Sequence, residues 1–187
     1  MINDKRVWNK FFATVDELAA FITQQDALGR TVYHGCAVFG SPDSRKQSNA
    51  IGARSFWADV DAGPGKPYAS AEEAALAVRD FCVRMALPSP LYVGSGNGLH
   101  IYWPLEEMVA AKEWQRYADG LKRLLHRGGL AADPARTADI SSVLRTPGTH
   151  HRKDGVKLVR AGELVGPYSI ELFSKLLEGE TYGRRNL

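Results

Sequence analysis

The most restrictive feature of the sequence is a pair of aspartates at the end of an apolar run. Residues 51–60 have the composition of a β-strand, and residues 61–65, which include two glycines and a proline, cannot easily continue a sheet. Asp59 and Asp61 therefore lie at a strand end, where side chains at i and i+2 project from the same face. Two adjacent carboxylates attract a divalent cation, and their oxygen atoms suit Mg²⁺ or Mn²⁺. A solvated turn would carry the same residues, so both interpretations stay open.

Composition indicates one domain. The chain has 187 residues, of which 44% are hydrophobic, and this is enough for one substantial core. Its net charge of +3 is compatible with a polyanionic partner without requiring one. Cys36 and Cys82 lack the CxxC spacing of a zinc or redox site, which favours a reducing setting. No apolar run approaches a membrane span of about 20 residues, and no signal-type segment follows Met1, so we expect a cytoplasmic protein without membrane contact.

Capping boxes, apolar periodicity and glycine stops predict an alternation of helices and strands. Helices are predicted over about 15–28, 71–85, 111–126 and 169–177, and strands over 31–39, 51–60, 91–93, 99–103 and 156–160. Residues 94–98 are a tight hairpin connection, and residues 44–49 form a polar loop that carries Arg45 and Lys46. Residues 131–153 are predicted to be a long loop rich in polar side chains, and the tail after Tyr182 is predicted to be mobile.

A second group of chemically active residues lies in the hairpin. Residues 95–103 read Ser-Gly-Asn-Gly-Leu-His-Ile-Tyr-Trp, in which small residues let backbone N–H groups approach an anion and the following strand presents His100. Tyr102 shares the strand face of His100, whereas Trp103 alternates with it. The segment fits a phosphate cradle, although taken alone it is more often an ordinary hairpin with a hydrogen-bonded histidine.

A third group lies in the predicted loop. Residues 138–149 read Ala-Asp-Ile-Ser-Ser-Val-Leu-Arg-Thr-Pro-Gly-Thr, with one carboxylate, Asp139, and with Arg145 ahead of a Pro-Gly turn. The planar fork of an arginine binds two phosphate oxygens at once, although a loop arginine is more often only solvated. Asp133 competes with Asp139 as the third carboxylate, and Asp133-Pro134 also makes sense as a simple helix start.

The three segments, in this order, resemble the archaeo-eukaryotic primase superfamily. More narrowly, they resemble the primase-polymerase domains of phage and plasmid replication proteins and of some CRISPR-associated proteins, over about residues 32–157. The resemblance implies an α+β fold in which an RRM-like antiparallel sheet joins an N-terminal α/β unit across an active-site cleft. We expect an N-terminal portion at about 1–50, a catalytic portion at about 51–165 and a C-terminal helix and tail at 166–187.

The resemblance also implies a function, namely primer synthesis or extension on single-stranded DNA by a two-metal nucleotidyltransferase. The implied catalytic residues and ligands of Mg²⁺ or Mn²⁺ are Asp59, Asp61 and Asp139. The implied nucleotide-binding residues are Ser95, Gly96, His100, Arg145, Arg45 and Lys46, of which the last two could instead lie near the template. Implied partners are a DNA template, a primer, nucleoside triphosphates and, as in larger members, a helicase. The family pattern usually has an asparagine soon after Pro-Gly-Thr, where this chain has His150 and His151.

Two other functions are weighed against this one. A metal-dependent nuclease or replication-initiator endonuclease also uses carboxylates and histidines, but an initiator needs two histidines around one apolar residue, and residues 99–102 hold only His100. A non-catalytic RRM-like module would stack bases on Tyr102, Trp57 or Tyr92. Such a module has no use for two adjacent carboxylates, which repel a polyanion unless a cation intervenes.

Overall fold

Local sequence signals begin the first two long helices as predicted. The computed structural model describes residues 9–181, and the mobile tail predicted after Tyr182 lies outside this range. The helices are α1 (Val15–Ala27), α2 (Ala71–Arg84), α3 (Ala111–Arg127), α4 (Pro134–Thr137) and α5 (Ile170–Thr181). Thr14 and Glu17 form both bonds of a capping box at α1, and the Ser70 side chain accepts the Glu73 N–H at α2. The four predicted helices are confirmed, and α4 is an addition within the predicted loop.

The strands predicted over 51–60, 91–93 and 99–103 are present, and the strands before and after them differ from prediction. They are β1 (Tyr33–Gly35), β2 (Val38–Phe39), β3 (Ala50–Val60), β4 (Leu91–Gly94), β5 (Leu99–Ala110), β6 (Val143–Arg145), β7 (His150–His151), β8 (Lys157–Leu158) and β9 (Arg160–Ala161). The predicted strand over 31–39 is two short strands in different sheets, and the predicted loop over 131–153 contains β6 and β7. β1 and β6 pair with each other over a long sequence distance, which local patterns do not reveal, and β2 and β7 have only two residues each, too few for a periodic pattern.

An antiparallel sheet carries the candidate site. Its strand order is β2-β3-β5-β4-β9. Because β5 lies between β3 and β4, the chain from β3 through α2 to β4 is a split β-α-β unit, as in RRM-like sheets. The predicted α+β class is confirmed. The unit brings the carboxyl ends of β3 and β4 beside the amino end of β5, where His100 is opposite both Asp59 and Val93.

Aromatic packing fixes β3 against the helices. The Trp114 ring of α3 stacks on Trp57 with ring centroids 4.6 Å apart, and its Nε1 donates to the Ser55 carbonyl at 2.8 Å. Trp57 Nε1 in turn donates to the carbonyl of Arg136 in α4 at 2.9 Å. Both indoles are fully buried with their N–H groups satisfied, which is the arrangement that makes buried tryptophan stabilising. Asp59, two residues after Trp57, therefore lies on a rigid strand.

The two strands that precede residue 50 each pair with a strand later in the chain. Tyr33 of β1 pairs with Arg145 of β6, and Val38 of β2 pairs with Gly52 of β3. The division of the chain at about residues 50 and 165 stays a prediction. Within residues 9–181, no helix has the length and apolar character needed to cross a membrane.

Gly98 lets the β4–β5 hairpin approach the acidic strand end, which gives a prediction about stability. A Cβ at Gly98 would meet the Val60 carbonyl and would lie 3.0 Å from Asp61 Cα. We expect Gly98→Ala to lower the free energy of unfolding by about 1–3 kcal/mol, because backbone must move. Urea denaturation measures this.

Gly179→Ala is the matched control, because an added Cβ there meets nothing within 4 Å. On helix α5 this change should raise stability by up to about 1 kcal/mol. Equal stability of the two variants would contradict the close approach at Gly98.

Candidate active site

Asp59 and His100 face each other at the centre of the site. They are direct partners in the β3–β5 ladder, so their side chains project from the same face of the sheet. Asp59 Oδ1 lies 3.9 Å from His100 Nε2, and the side chains are 22% and 2% exposed, respectively. The sheet thus places one carboxylate and one imidazole side by side, largely out of water.

The negative charge of Asp59 is unfavourable where it lies. Burial raises the pKa of this carboxyl to about 6, and the charges of Asp61 and Asp133 act in the same direction. Arg145 and Arg136 oppose the shift without cancelling it. A carboxylate destabilised by burial and by like charges is one that a cation would stabilise strongly.

Asp61 is more exposed and already has a cationic neighbour. Its Oδ2 accepts a hydrogen bond from Lys66 Nζ at 2.6 Å, and the Asp61 and Lys66 side chains are 52% and 47% exposed. An ion pair this open to water contributes at most about 1 kcal/mol. A divalent cation can therefore displace the Lys66 ammonium at little cost.

The two candidates for the third carboxylate have different surroundings. The Asp133 N–H donates to the Asp59 carbonyl at 2.7 Å, and the Asp133 charge acts on Asp59. Asp139 Oδ1 instead accepts from the Ser141 N–H at 2.9 Å, the Ser141 hydroxyl at 2.6 Å and Gln47 Nε2 at 3.1 Å. Burial would raise the pKa of Asp139, but these hydrogen bonds outweigh it and lower the pKa. Asp139 is thus engaged in its own turn, whereas Asp133 lies against the acidic strand end.

The donor chemistry fits a hard divalent cation. Asp59 and Asp61 supply carboxylate oxygens, the ligands that Mg²⁺ and Mn²⁺ prefer. Across residues 9–181, no cluster of three or more His, Cys, Asp or Glu side chains is arranged to hold an ion unaided. An ion at the pair would therefore complete its coordination with water, with a bound nucleotide or with a rearranged Asp133.

Next to the carboxylates lies a group of nitrogen atoms that lack partners. Within the described residues, the buried side-chain atoms without a hydrogen-bond partner are Arg45 Nε, His100 Nδ1, Tyr102 Oη, Arg145 Nε and His151 Nε2. We call three of these residues the nitrogen group, namely His100, Arg145 and His151. The charge of Arg145 affects the pKa of both histidines. Burial lowers the pKa of His100 to about 3, and the Arg145 charge adds to this effect. Burial followed by Arg145 likewise lowers the pKa of His151. Phosphate oxygens would satisfy such nitrogens.

The predicted cradle residues form one wall of this group. Gly96 has φ +108°, and a Cβ there would collide with the His151 ring. The Ser95 side chain is buried, and its carbonyl lies 3.3 Å from His151 Nδ1. Sequence reasoning gave His151 no role, although its position, where the family pattern has asparagine, was the available signal.

The basic loop supplies Arg45, whose Nε is also buried without a partner, and Lys46. Arg45 is half-buried beside Cys36, whose pKa burial raises and the Arg45 charge partly lowers. Lys46 is exposed. Arg145 has its guanidinium 5.6 Å from the centre of the Tyr33 ring, a contact that β1–β6 pairing creates.

The geometry disfavours both alternative functions. His150 and His151 are adjacent on β7 and point to opposite sides, since His150 Nδ1 is 2.7 Å from Asp26 while His151 is next to Ser95. They cannot share a metal as an initiator endonuclease requires. Trp57 and Tyr102 are 0% and 9% exposed, so they offer no open platform for stacking bases, whereas the third aromatic residue, Tyr92, is half-buried.

Comparison with known proteins shows similarity in structure only. No protein-family model and no curated protein matches the sequence. The primase-polymerase (AEP) domain of cyanophage S-2L superposes with a TM-score of 0.60 at 14% identity, over 90% of this chain and 86% of that one. The primase RepB′ gives 0.54 at 16% identity, over 89% of this chain and 48% of that one. The polymerase domain of Mycobacterium tuberculosis ligase D, solved in complex with DNA, gives 0.52 at 23% identity, over 88% and 63%.

The raised pKa of Asp59 predicts a pH-dependent stability. Its folded value of about 6 exceeds the ordinary 3.8, so this group stabilises the fold below about pH 4 and the contribution is lost as the pH rises through 6. In metal-free buffer at pH 8 we expect Asp59→Asn to be about 1–3 kcal/mol more stable than the unmodified protein, and the gain to vanish near pH 4.

Chemical denaturation with a chelator at several pH values measures this. The exposed loop residue Asp43 supplies the control variant, Asp43→Asn, which should show no such pH-dependent gain. An Asp59→Asn protein less stable than the unmodified one at pH 8 would show that the carboxylate is not destabilised.

Proposed function

We propose that this chain, which has the fold of archaeo-eukaryotic primase-polymerase domains, is a template-directed nucleotidyltransferase that synthesises or extends primers on single-stranded DNA. The observation that carries the proposal is the juxtaposition of Asp59, a destabilised carboxylate, with His100 across the β3–β5 ladder, where His100, like Arg145 and His151, has a buried nitrogen without a partner. A triphosphate with a bound cation has the complementary arrangement, since its metal suits the carboxylates and its oxygens suit the nitrogens.

Asp59 and Asp61 would hold the metal, which we propose to be Mg²⁺ or Mn²⁺. When bound, such an ion lowers the pKa of an attacking hydroxyl and neutralises charge on a triphosphate. For the third carboxylate we favour Asp133 over Asp139. The hydrogen bond between the Asp133 N–H and the Asp59 carbonyl supports this choice, as do the three hydrogen bonds that occupy Asp139 Oδ1.

His100 and Arg145 would bind the triphosphate in different ways. The lowered pKa of His100 makes it a neutral imidazole at physiological pH, so it donates one N–H and brings no charge. Arg145 is half-buried and carries a permanent charge with a forked set of donors. Together they would hold the phosphates and stabilise the negative charge that passes to the leaving pyrophosphate. Ser95 and Gly96 would contribute by shaping the wall of the cradle.

The partners follow from the chemistry of the reaction. Substrates would be nucleoside triphosphates, a single-stranded DNA template and a primer, and a helicase domain or protein would supply the template in a replication setting. The ligase D polymerase domain was solved in complex with DNA, which supports this kind of partner. Arg45 is half-buried and Lys46 is exposed, and we propose that they contact a phosphate of the template or of the incoming nucleotide.

The first prediction tests the metal pair. The double variant Asp59→Asn with Asp61→Asn keeps the side-chain shapes but removes both charges, and we expect roughly 10³-fold slower primer extension. The assay incubates the protein with single-stranded template, labelled nucleotides and Mg²⁺ or Mn²⁺, with and without a primer. A gel then separates extension, new synthesis and cleavage.

Asp80→Asn is the control, because Asp80 lies exposed on α2, where it pairs with neighbouring Arg79. Its extension rate should equal that of the unmodified protein. Undiminished extension by the double variant would contradict the proposed function.

The second prediction separates the two third-carboxylate candidates. Asparagine at position 133 still caps α4 by accepting the Ala135 N–H, so Asp133→Asn should fold normally. We expect this variant to need about 10-fold more Mn²⁺ for half-maximal extension, whereas Asp139→Asn should keep the metal requirement and lose stability through its turn. Metal titration of the extension rate, with thermal unfolding in parallel, measures both. The reverse pattern would assign the ligand to Asp139.

A further inference from the structure

A half-buried carboxylate on α1 binds the segment that carries His151. The Asp26 side chain is 12% exposed. It accepts a hydrogen bond from the His150 N–H at 2.9 Å, lies 2.7 Å from His150 Nδ1 and accepts from Arg152 Nη1 at 2.6 Å. Arg152 also donates to the Asp26 carbonyl and, past the end of the helix, to the Arg30 carbonyl, at 2.9 Å each. One helix end thus holds both residues that flank His151.

The Asp26 carboxylate forms hydrogen bonds that its charge strengthens. Burial acts to raise the pKa of Asp26, but the hydrogen bonds from Arg152 and His150 outweigh it and hold the pKa at about 2. Asp26 is therefore ionised at any pH at which a polymerase works, and its bonds to Arg152 are charge-assisted. Removing one partner of these charge-assisted hydrogen bonds lowers the free energy of unfolding by more than removing one partner of a neutral hydrogen bond does.

The strand pairing of this segment is weak by comparison. Among the described residues β7 pairs only with β8, through His150 with Leu158 and His151 with Lys157, and these two strands lie outside the five-stranded sheet. Two backbone hydrogen bonds between Val159 and residues 148–149 extend this pairing, but a two-stranded hairpin on its own is marginal in water. On its other side the hairpin is tied to Asn97, which accepts from Lys157 and donates to Asp154, but these contacts are exposed. The contacts with Asp26 are therefore the ones that hold this segment most strongly.

Because side chains alternate along a strand, the contacts of Asp26 with His150 and Arg152 also restrict the direction of the His151 side chain. Because His150 and Arg152 face α1, the residue between them faces the opposite way. His151 is 3% exposed, its Nδ1 lies beside the Ser95 carbonyl, and Gly96 leaves room for its ring. Its Nε2 is buried without a partner, on the same side as Arg145, whose charge acts on it. Both neighbours of His151 must stay docked for Nε2 to keep this direction.

We infer that Asp26 is a positioning residue that, by docking His150 and Arg152 on α1, aims His151 Nε2 at the phosphates of the incoming nucleoside triphosphate. The inference rests on the proposed function and extends it, because it gives the helix before the catalytic portion a role in nucleotide affinity. His151 is the group that touches the substrate, and Asp26 acts through it.

A double-mutant cycle tests the inference. The dissociation constant of deoxyadenosine triphosphate with Mg²⁺ is measured by calorimetric titration for the unmodified protein, Asp26→Asn, His151→Ala and the double variant. We expect each single variant to bind roughly 10-fold more weakly, and the double variant to bind no more weakly than His151→Ala, since Asp26 has nothing left to position.

Asp16→Asn is the matched control, as an exposed acidic residue in the first turn of the same helix, and its affinity should be unchanged. Thermal unfolding shows whether each variant is folded at the assay temperature. If Asp26→Asn is not folded, Arg152→Lys takes its place in the cycle, because lysine keeps the charge but cannot reach the Asp26 carboxylate and both carbonyls together. The same dependence on His151 is expected.

Three outcomes overturn the inference. These are unchanged affinity in Asp26→Asn, unchanged affinity in His151→Ala, and losses that add fully in the double variant, which would make Asp26 act independently of His151. In each of these cases the unmodified protein still binds the triphosphate, so the proposed function stands. An unmodified protein that binds no triphosphate would contradict the proposed function, and this inference with it.

Discussion

The register between β3 and β5 sets the position of the two groups at the centre of the site. Asp59 lies opposite His100 only in this register, and because side chains alternate along a strand, a slip of β3 by one residue would turn Asp59 to the face opposite His100. The fully buried residues Trp57 and Val60 oppose such a slip, since it would move them as well. The stacking of Trp114 on Trp57 and its hydrogen bond to the Ser55 carbonyl hold β3 in place. Packing of the core therefore determines the chemistry at the strand end.

Several groups at the site destabilise the fold unless a ligand contacts them. Asp59 carries a charge that burial and two neighbouring carboxylates disfavour, and three nitrogen atoms of the nitrogen group are buried without partners. Each such feature costs of the order of 1–3 kcal/mol in an ordinary interior. A metal-bound triphosphate would stabilise both sets of groups. Its cation would neutralise charge at the carboxylates, and its oxygens would form hydrogen bonds with the nitrogens. This complementarity explains why a destabilised carboxylate and nitrogen atoms without partners lie side by side.

Sequence patterns predicted the elements that local signals determine. The capping box at Thr14, the hairpin at residues 94–98 and the strand that ends in Asp59 are all visible in short windows, and the ordered motifs predicted the α+β fold. Long-range pairing was not predictable in this way. The β1–β6 ladder, which places Tyr33 beside Arg145, joins segments more than a hundred residues apart. The anchoring of His150 by Asp26 is equally non-local, and so the role of His151 had no local signal beyond a departure from the family pattern. Whether Asp133 or Asp139 is the third ligand also depends on hydrogen bonds that spacing does not specify.

The most direct measurement is the anomalous scattering of Mn²⁺ in crystals grown with a non-hydrolysable deoxynucleoside triphosphate. We expect an anomalous peak in contact with the carboxylates of Asp59 and Asp61, with triphosphate oxygens within hydrogen-bond distance of His100 and Arg145. A triphosphate bound elsewhere, or a peak at neither aspartate under conditions in which primers are extended, would contradict the central claim that this strand end is the catalytic metal site.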